Sequence, residues 1–98
     1  MADPSADPSV RRLRGEISAV DRAILDAFNR RLDLVAELKR YKASQGIGFV
    51  DPERERELLD ELASANGGPL SSEGLSELFA RLLELTKREV GRIEASAD

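Results

Sequence analysis

Apolar residues fall at Val10, Leu13, Ile17, Val20, Ile24, Phe28, Leu32, Val35 and Leu38, always three or four positions apart. That spacing marks one face of an α-helix and predicts a long helix from about Val10 to about Ser44. Pro8 and Ser9 stand where a cap belongs, and Gly46 and Gly48 end the run. A second helix starts at Asp51-Pro52, an N-cap followed by a proline at the first helical position. Glu53 and Glu55 put acids in its first turn, where the helix dipole favours them. Leu58, Leu59 and Leu62 give it a short stripe, and Asn66-Gly67-Gly68-Pro69 stops it. A third helix begins near Ser71 or Ser72, either of which can cap. It runs through Leu75, Leu78, Phe79, Leu82, Leu85 and Val90 to Ile93 at helical spacing. No strand pattern is visible. The expected fold is all-α, with one long, one short and one medium helix in a domain covering residues 10–95. Residues 1–9 read as a disordered lead-in.

The first helix should be about 50 Å long. A compact globule of this chain length is only about 26 Å across. Much of its apolar stripe therefore cannot be covered by its own chain, and a second copy is the simplest cover. The expected assembly is an intertwined helical homodimer.

One feature breaks the apolar stripe. Continued at the same spacing, its seam passes through Arg31 and Lys42. Eleven residues separate them, which returns to within about 20° of the same direction, about 16 Å further along the axis. An unpaired cation on a packed face is costly. Either acids from other helices neutralise these two, or an anionic ligand lies between them, or both snorkel outward along their aliphatic stems. Arg14 points about a quarter turn away from Arg31. In a dimer it can reach into the partner's pocket; alone it reads as an ordinary exposed arginine.

Composition narrows the chemistry. The 98 residues contain no Cys and no His, which excludes thiol nucleophiles, histidine triads, zinc fingers and disulfides. A formal net charge of −4 argues against nucleic acid as a partner. No apolar run approaches the length needed to span a bilayer, and no hydrophobic signal core precedes Val10. A cytoplasmic protein, away from membranes, is expected.

Leu13-Arg14-Gly15-Glu16-Ile17-Ser18-Ala19-Val20-Asp21 resembles the opening motif "LRxxIxxxD" of the all-helical chorismate mutases. Ile24-Leu25 through Arg30-Arg31, then Lys39-Arg40-Tyr41-Lys42, is similar to their "LxxRxxLxxxxxxxK" pattern. Asp51 through Leu59 resembles "DxxRExxLL", and Phe79 through Thr86 resembles a third-helix signature in which Ser or Thr follows Phe by seven. The resemblance covers residues 13 to 93.

The resemblance implies an isomerase of the shikimate pathway, serving aromatic amino acid biosynthesis, that turns chorismate into prephenate without metal or cofactor. Arg31, and Arg14 of the partner subunit, would grip the substrate carboxylates, a task suited to the guanidinium fork. Lys42 would donate to the ether oxygen. Glu55 and the region of Asp51 would receive the substrate hydroxyl, Arg54 would line the site or hold the acids, and Thr86 would contact a carboxylate. For Asp51 a helix cap, for Glu55 a surface acid and for Thr86 a place on the core stripe are the plainer alternatives.

The family usually carries Gln or Glu four residues after the third-helix Ser/Thr, as second donor to the ether oxygen. Val90 stands there and donates nothing. Glu89 is adjacent but about 100° away on an ideal helix, so it would serve only if the helix were locally rewound and the acid protonated. Otherwise Lys42 works alone and slowly. Some actinobacterial members are weak alone and are activated by docking to the first shikimate-pathway enzyme, a partner possible here as well. The rival readings are an isochorismate pyruvate lyase of the same fold, a non-catalytic metabolite-binding or regulatory helical dimer, and a plain coiled coil. The last accounts for neither Arg31 and Lys42 nor the motif at Asp51 to Glu55.

Overall fold

Three α-helices account for nearly all of the computed structural model, which describes residues 6–96: α1 (Pro8–Ser44), α2 (Pro52–Ala65) and α3 (Ser72–Ser96). No strand occurs among the described residues, so the fold is all-α as expected. Residues divide into two units, Met1–Asp33 and Leu34–Asp98, with the boundary inside α1.

The first unit is the N-terminal part of α1. Its start corrects the sequence reading: Asp7, not Ser9, caps the helix. Asp7 Oδ1 accepts from the backbone N–H groups of Ser9 at 2.8 Å and Val10 at 3.3 Å. Pro8 then occupies the first helical position, where its missing N–H costs nothing. The helix thus begins inside the stretch expected to be a disordered lead-in; the rest of that expectation, residues 1–5, lies outside the described residues. Along this unit Leu13, Ile17, Val20 and Ile24 are 48–61% exposed. A single helical segment has nothing of its own to fold over such a stripe.

The second unit holds the end of α1 together with α2 and α3, and all the fully buried residues among those described: Ala36, Leu75, Thr86 and Val90. α1 ends in a Schellman turn. Ile47 N–H bonds Lys42 C=O at 2.8 Å and Gly46 N–H bonds Ala43 C=O at 3.3 Å. Gly46 sits at φ +69°, a left-handed conformation that glycine adopts without a Cβ clash. The chain then passes Phe49 and enters α2 through Asp51, whose Oδ1 accepts from Arg54 N–H at 3.1 Å. Asn66 organises the next turn, donating from Nδ2 to Leu70 C=O at 2.8 Å and accepting from Gly68 N–H at 3.1 Å. Ser71 caps α3 by accepting from Gly74 N–H at 3.0 Å. α2 and α3 pack against each other. On α3 the inward face runs Leu75, Phe79, Leu82, Thr86, Val90 and Ile93, at least half-buried throughout and spaced three or four apart.

Candidate active site

Lys42 lies in the last turn of α1, half-buried, with Nζ donating to Phe49 C=O at 3.4 Å. The Schellman turn makes this possible by swinging residues 47–49 back toward the helix end. Lys39, one turn earlier, holds the same segment from the other side. Its Nζ is 5.0 Å from the Phe49 ring centroid and 3.3 Å from Glu94 on α3. The cation–π and ion-pair contacts are partly exposed, so each contributes on the order of 0.5–1 kcal/mol. Together they fix where the Phe49 carbonyl meets Lys42.

Glu55 faces α3 from the first turn of α2. Its Oε1 is 2.8 Å from Lys87 Nζ. Both line a groove of about 440 Å³ between α2 and α3, together with Pro52, Arg56, Leu59 and Leu83. Sequence reasoning did not single out Lys87. Arg54, next to Glu55 in sequence, faces another way and pairs with Glu61 at 3.1 Å and Glu57 at 3.6 Å. The hydrogen bond and charge of Glu61 raise its pKa above the usual arginine value. The acids that the Arg54 guanidinium holds are thus Glu57 and Glu61 of its own helix, not Glu55 or the carboxylate of Asp51. Asp51 serves as the N-cap, with its carboxylate committed to the Arg54 N–H.

Thr86 is buried on the inward face of α3, and its hydroxyl donates back to Leu82 C=O at 2.6 Å. Contact with a carboxylate needs that proton, so the hydroxyl would have to turn. Val90, one turn on, has no exposed surface. α3 continues as regular α-helix through Glu89 and Val90, so no local rewinding brings Glu89 inward. Glu89 Oε1 accepts from Arg92 Nε at 3.1 Å, and Oε2 is 3.9 Å from Arg88 Nε. Both carboxylate oxygens of Glu89 are thus engaged by arginines of its own helix.

Arg14 and Arg31 belong to the first unit. Arg14 is exposed. Arg31 is half-buried, and loss of water around the guanidinium lowers its pKa from the ordinary arginine value. Among the described residues no cluster of His, Cys, Asp or Glu could hold a metal ion, and no helix is long and apolar enough to cross a membrane.

Residues 13–90 match the family described as chorismate mutase type II. The 4-amino-4-deoxychorismate mutase of Streptomyces venezuelae is 33% identical over 86 residues, covering 87% of this chain and 80% of that protein. The T-protein of Enterobacter agglomerans is 45% identical over 47 residues, 48% of this chain but 13% of its own length. Among solved structures, form II of the chorismate mutase from Thermus thermophilus superposes with a TM-score of 0.80 at 32% identity, covering 86% of this chain and 96% of that one. Form I gives 0.77 at 33% identity, covering 80% and 98%.

Proposed function

The chain belongs to the chorismate mutase type II family, and from that membership we propose that it rearranges chorismate to prephenate in a site completed by a second copy of itself. The observation that carries this reading is the family match over residues 13–90, which spans every side chain the proposed site needs. Mutase names on the Streptomyces and Thermus proteins favour rearrangement over the lyase reaction.

The reaction breaks one C–O bond and forms one C–C bond within a single bound molecule, with no atom gained or lost. It needs no nucleophile and no obligatory proton transfer, which suits a chain without Cys or His. Two tasks remain. One is to hold the flexible enolpyruvyl arm folded over the ring, the proximity effect. Arg31, with Arg14 of the partner subunit, does this by clamping the two carboxylates. The partial desolvation of Arg31 strengthens its attraction for an anion. The other is to stabilise negative charge growing on the ether oxygen. An ammonium carries three N–H donors, and the long bond to Phe49 C=O engages one of those of Lys42. The other two are left for the ether oxygen and a carboxylate. Glu55 accepts the ring hydroxyl, and Thr86 donates to a carboxylate once its hydroxyl leaves Leu82.

A second copy is part of the proposal because the exposed stripe from Leu13 to Ile24 needs cover and Arg14 has no role without it. A cytoplasmic location and activation by a shikimate-pathway enzyme belong to it as well; the missing donor at Val90 supports the latter, since a site short of one donor gains from a partner that tightens the rest. The Streptomyces relative favours a second substrate reading, in which the ring bears an amine in place of the hydroxyl.

The test is Lys42→Ala, assayed by loss of chorismate and appearance of prephenate. Removing such a donor should lower kcat by about 10²–10³ with helicity and oligomeric state unchanged. Near-parental turnover would show that Lys42 does not serve the ether oxygen. Incubation with isochorismate in parallel separates the lyase, and thermal stabilisation by chorismate without turnover would identify a binding module.

A further inference from the structure

Lys87 and Glu55 meet across the α2–α3 groove at 2.8 Å, joining the acid proposed to receive the ring substituent to a cation from the opposite helix. Resting on the mutase reading above, we propose that Lys87 determines which ring substituent the site accepts, favouring a neutral hydroxyl over a cationic amine.

A carboxylate standing alone accepts a hydrogen bond from a hydroxyl, but it binds an ammonium more strongly, because a charge-assisted bond is roughly twice as strong as a neutral one. Glu55 without Lys87 would therefore prefer the amine. Paired with Lys87, it offers its remaining lone pairs to a hydroxyl while its charge is already balanced. An amine carried as a cation must then share one carboxylate with Lys87 at close range, and like charges so placed repel. The other charged groups lining the groove, Arg56 and Glu84, are of opposite sign and offset each other. Lys87 and Glu55 side chains are 46% and 33% exposed, so water screens the repulsion and the selectivity is moderate.

Helix geometry holds the pair in place. Leu83, Glu84 and Lys87 line one side of α3 at three- and four-residue spacing, and Glu55 and Leu59 do the same on α2.

The experiment measures kcat/KM for chorismate and for 4-amino-4-deoxychorismate in the parent, Lys87→Met and Lys87→Arg. Methionine keeps the stem and removes the charge, so the amine-to-hydroxyl ratio of kcat/KM should rise about tenfold, chiefly through KM. Lys87→Arg, which keeps the cation, should restore the parental ratio. A Lys87→Met ratio within about twofold of a parent that does rearrange chorismate would overturn the inference and leave the mutase reading standing. A parent that rearranges neither substrate would overturn the mutase reading, and this inference with it.

Discussion

Ile24 offers the most direct measure of the proposed association. It is 61% exposed and lies on the same stripe as Leu13, Ile17 and Val20. Full burial of such a side chain is worth about 1.5–3 kcal/mol, so a partner helix covering it would gain about 1–2 kcal/mol per copy. Ile24→Ala removes three of the four side-chain carbons, and hence about three-quarters of that gain. By two-fold symmetry the loss counts twice, giving about 1.5–3 kcal/mol per dimer. Dimer dissociation should then strengthen about 10- to 150-fold. Alanine is the better helix former, so a weaker dimer cannot be blamed on a weaker helix. Sedimentation velocity across a concentration series reads the dissociation constant directly. Specific activity measured over the same series should fall with the dimer, because Arg14 of the partner subunit is part of the proposed site. A fully active monomer at tens of micromolar, or a parental dimer constant in the variant, would refute the reasoning.

Two further substitutions probe the site. Val90→Gln should raise kcat by about tenfold or more if position 90 faces the ether oxygen, since one preorganised donor is worth at least that much. The same change should lower the melting temperature without ligand, because a buried amide left unpaired costs about 1–3 kcal/mol; unchanged kcat would mean that position 90 faces elsewhere. Asp51→Ala should cost about 1 kcal/mol of stability through loss of the cap, while Asp51→Asn, an equally good cap, should cost little. Chemical denaturation beside Michaelis kinetics separates the roles: a higher KM in a fully stable Asn variant would assign the carboxylate to substrate.

The helices were legible because their apolar steps are regular, and the errors arose at ends, where side-chain hydrogen bonds decide. Asp7-Pro8 and Asp51-Pro52 are the same start signal. It is readable at position 51, where glycines and a break precede it. At position 7 it lies in a polar, proline-bearing stretch, and the nearer Ser9 draws the eye. The far end of α3 extends three residues past Ile93 to Ser96, where no further apolar residue marks the face; there Ser96 Oγ donates back to Arg92 and Ile93 carbonyls. Within the site, contacts set by a single helix were readable and those that need two helices were not. The spacing of Arg54 from Glu57 and Glu61 on α2 is a local fact, and so is the capping distance from Asp51 to Arg54. Lys87 is different. Thirty-two positions separate it from Glu55, and only the packing of α2 on α3 brings them together. Lys39 is a similar case, since its contacts with Phe49 and Glu94 depend on how the chain turns after Gly46.

Val90 then has a physical explanation in the resting protein. A Gln or Glu at that position must have its polar atoms satisfied even when no ligand is present, and the site allows no exposed surface at all. Valine avoids that cost and packs the inward face of α3 beside Thr86, whose own hydroxyl is satisfied within the helix by Leu82 C=O. Along this face, therefore, the resting helix satisfies the Thr86 hydroxyl from its own Leu82 carbonyl, and that hydroxyl must turn before it can serve a substrate. Polar groups that reach beyond their own helix include Lys42 at the end of α1, the Lys39–Glu94 pair and the Glu55–Lys87 pair across the groove. On the proposed reading Lys42 is the donor to the breaking C–O bond, and its tether to Phe49 is long and leaves N–H groups uncommitted. If position 90 faces the ether oxygen, valine there trades a transition-state donor for a dry, fully packed helix face. On that reading, a partner that orders the loop between Gly46 and Asp51 would raise the rate by steadying Lys42, the proposed donor.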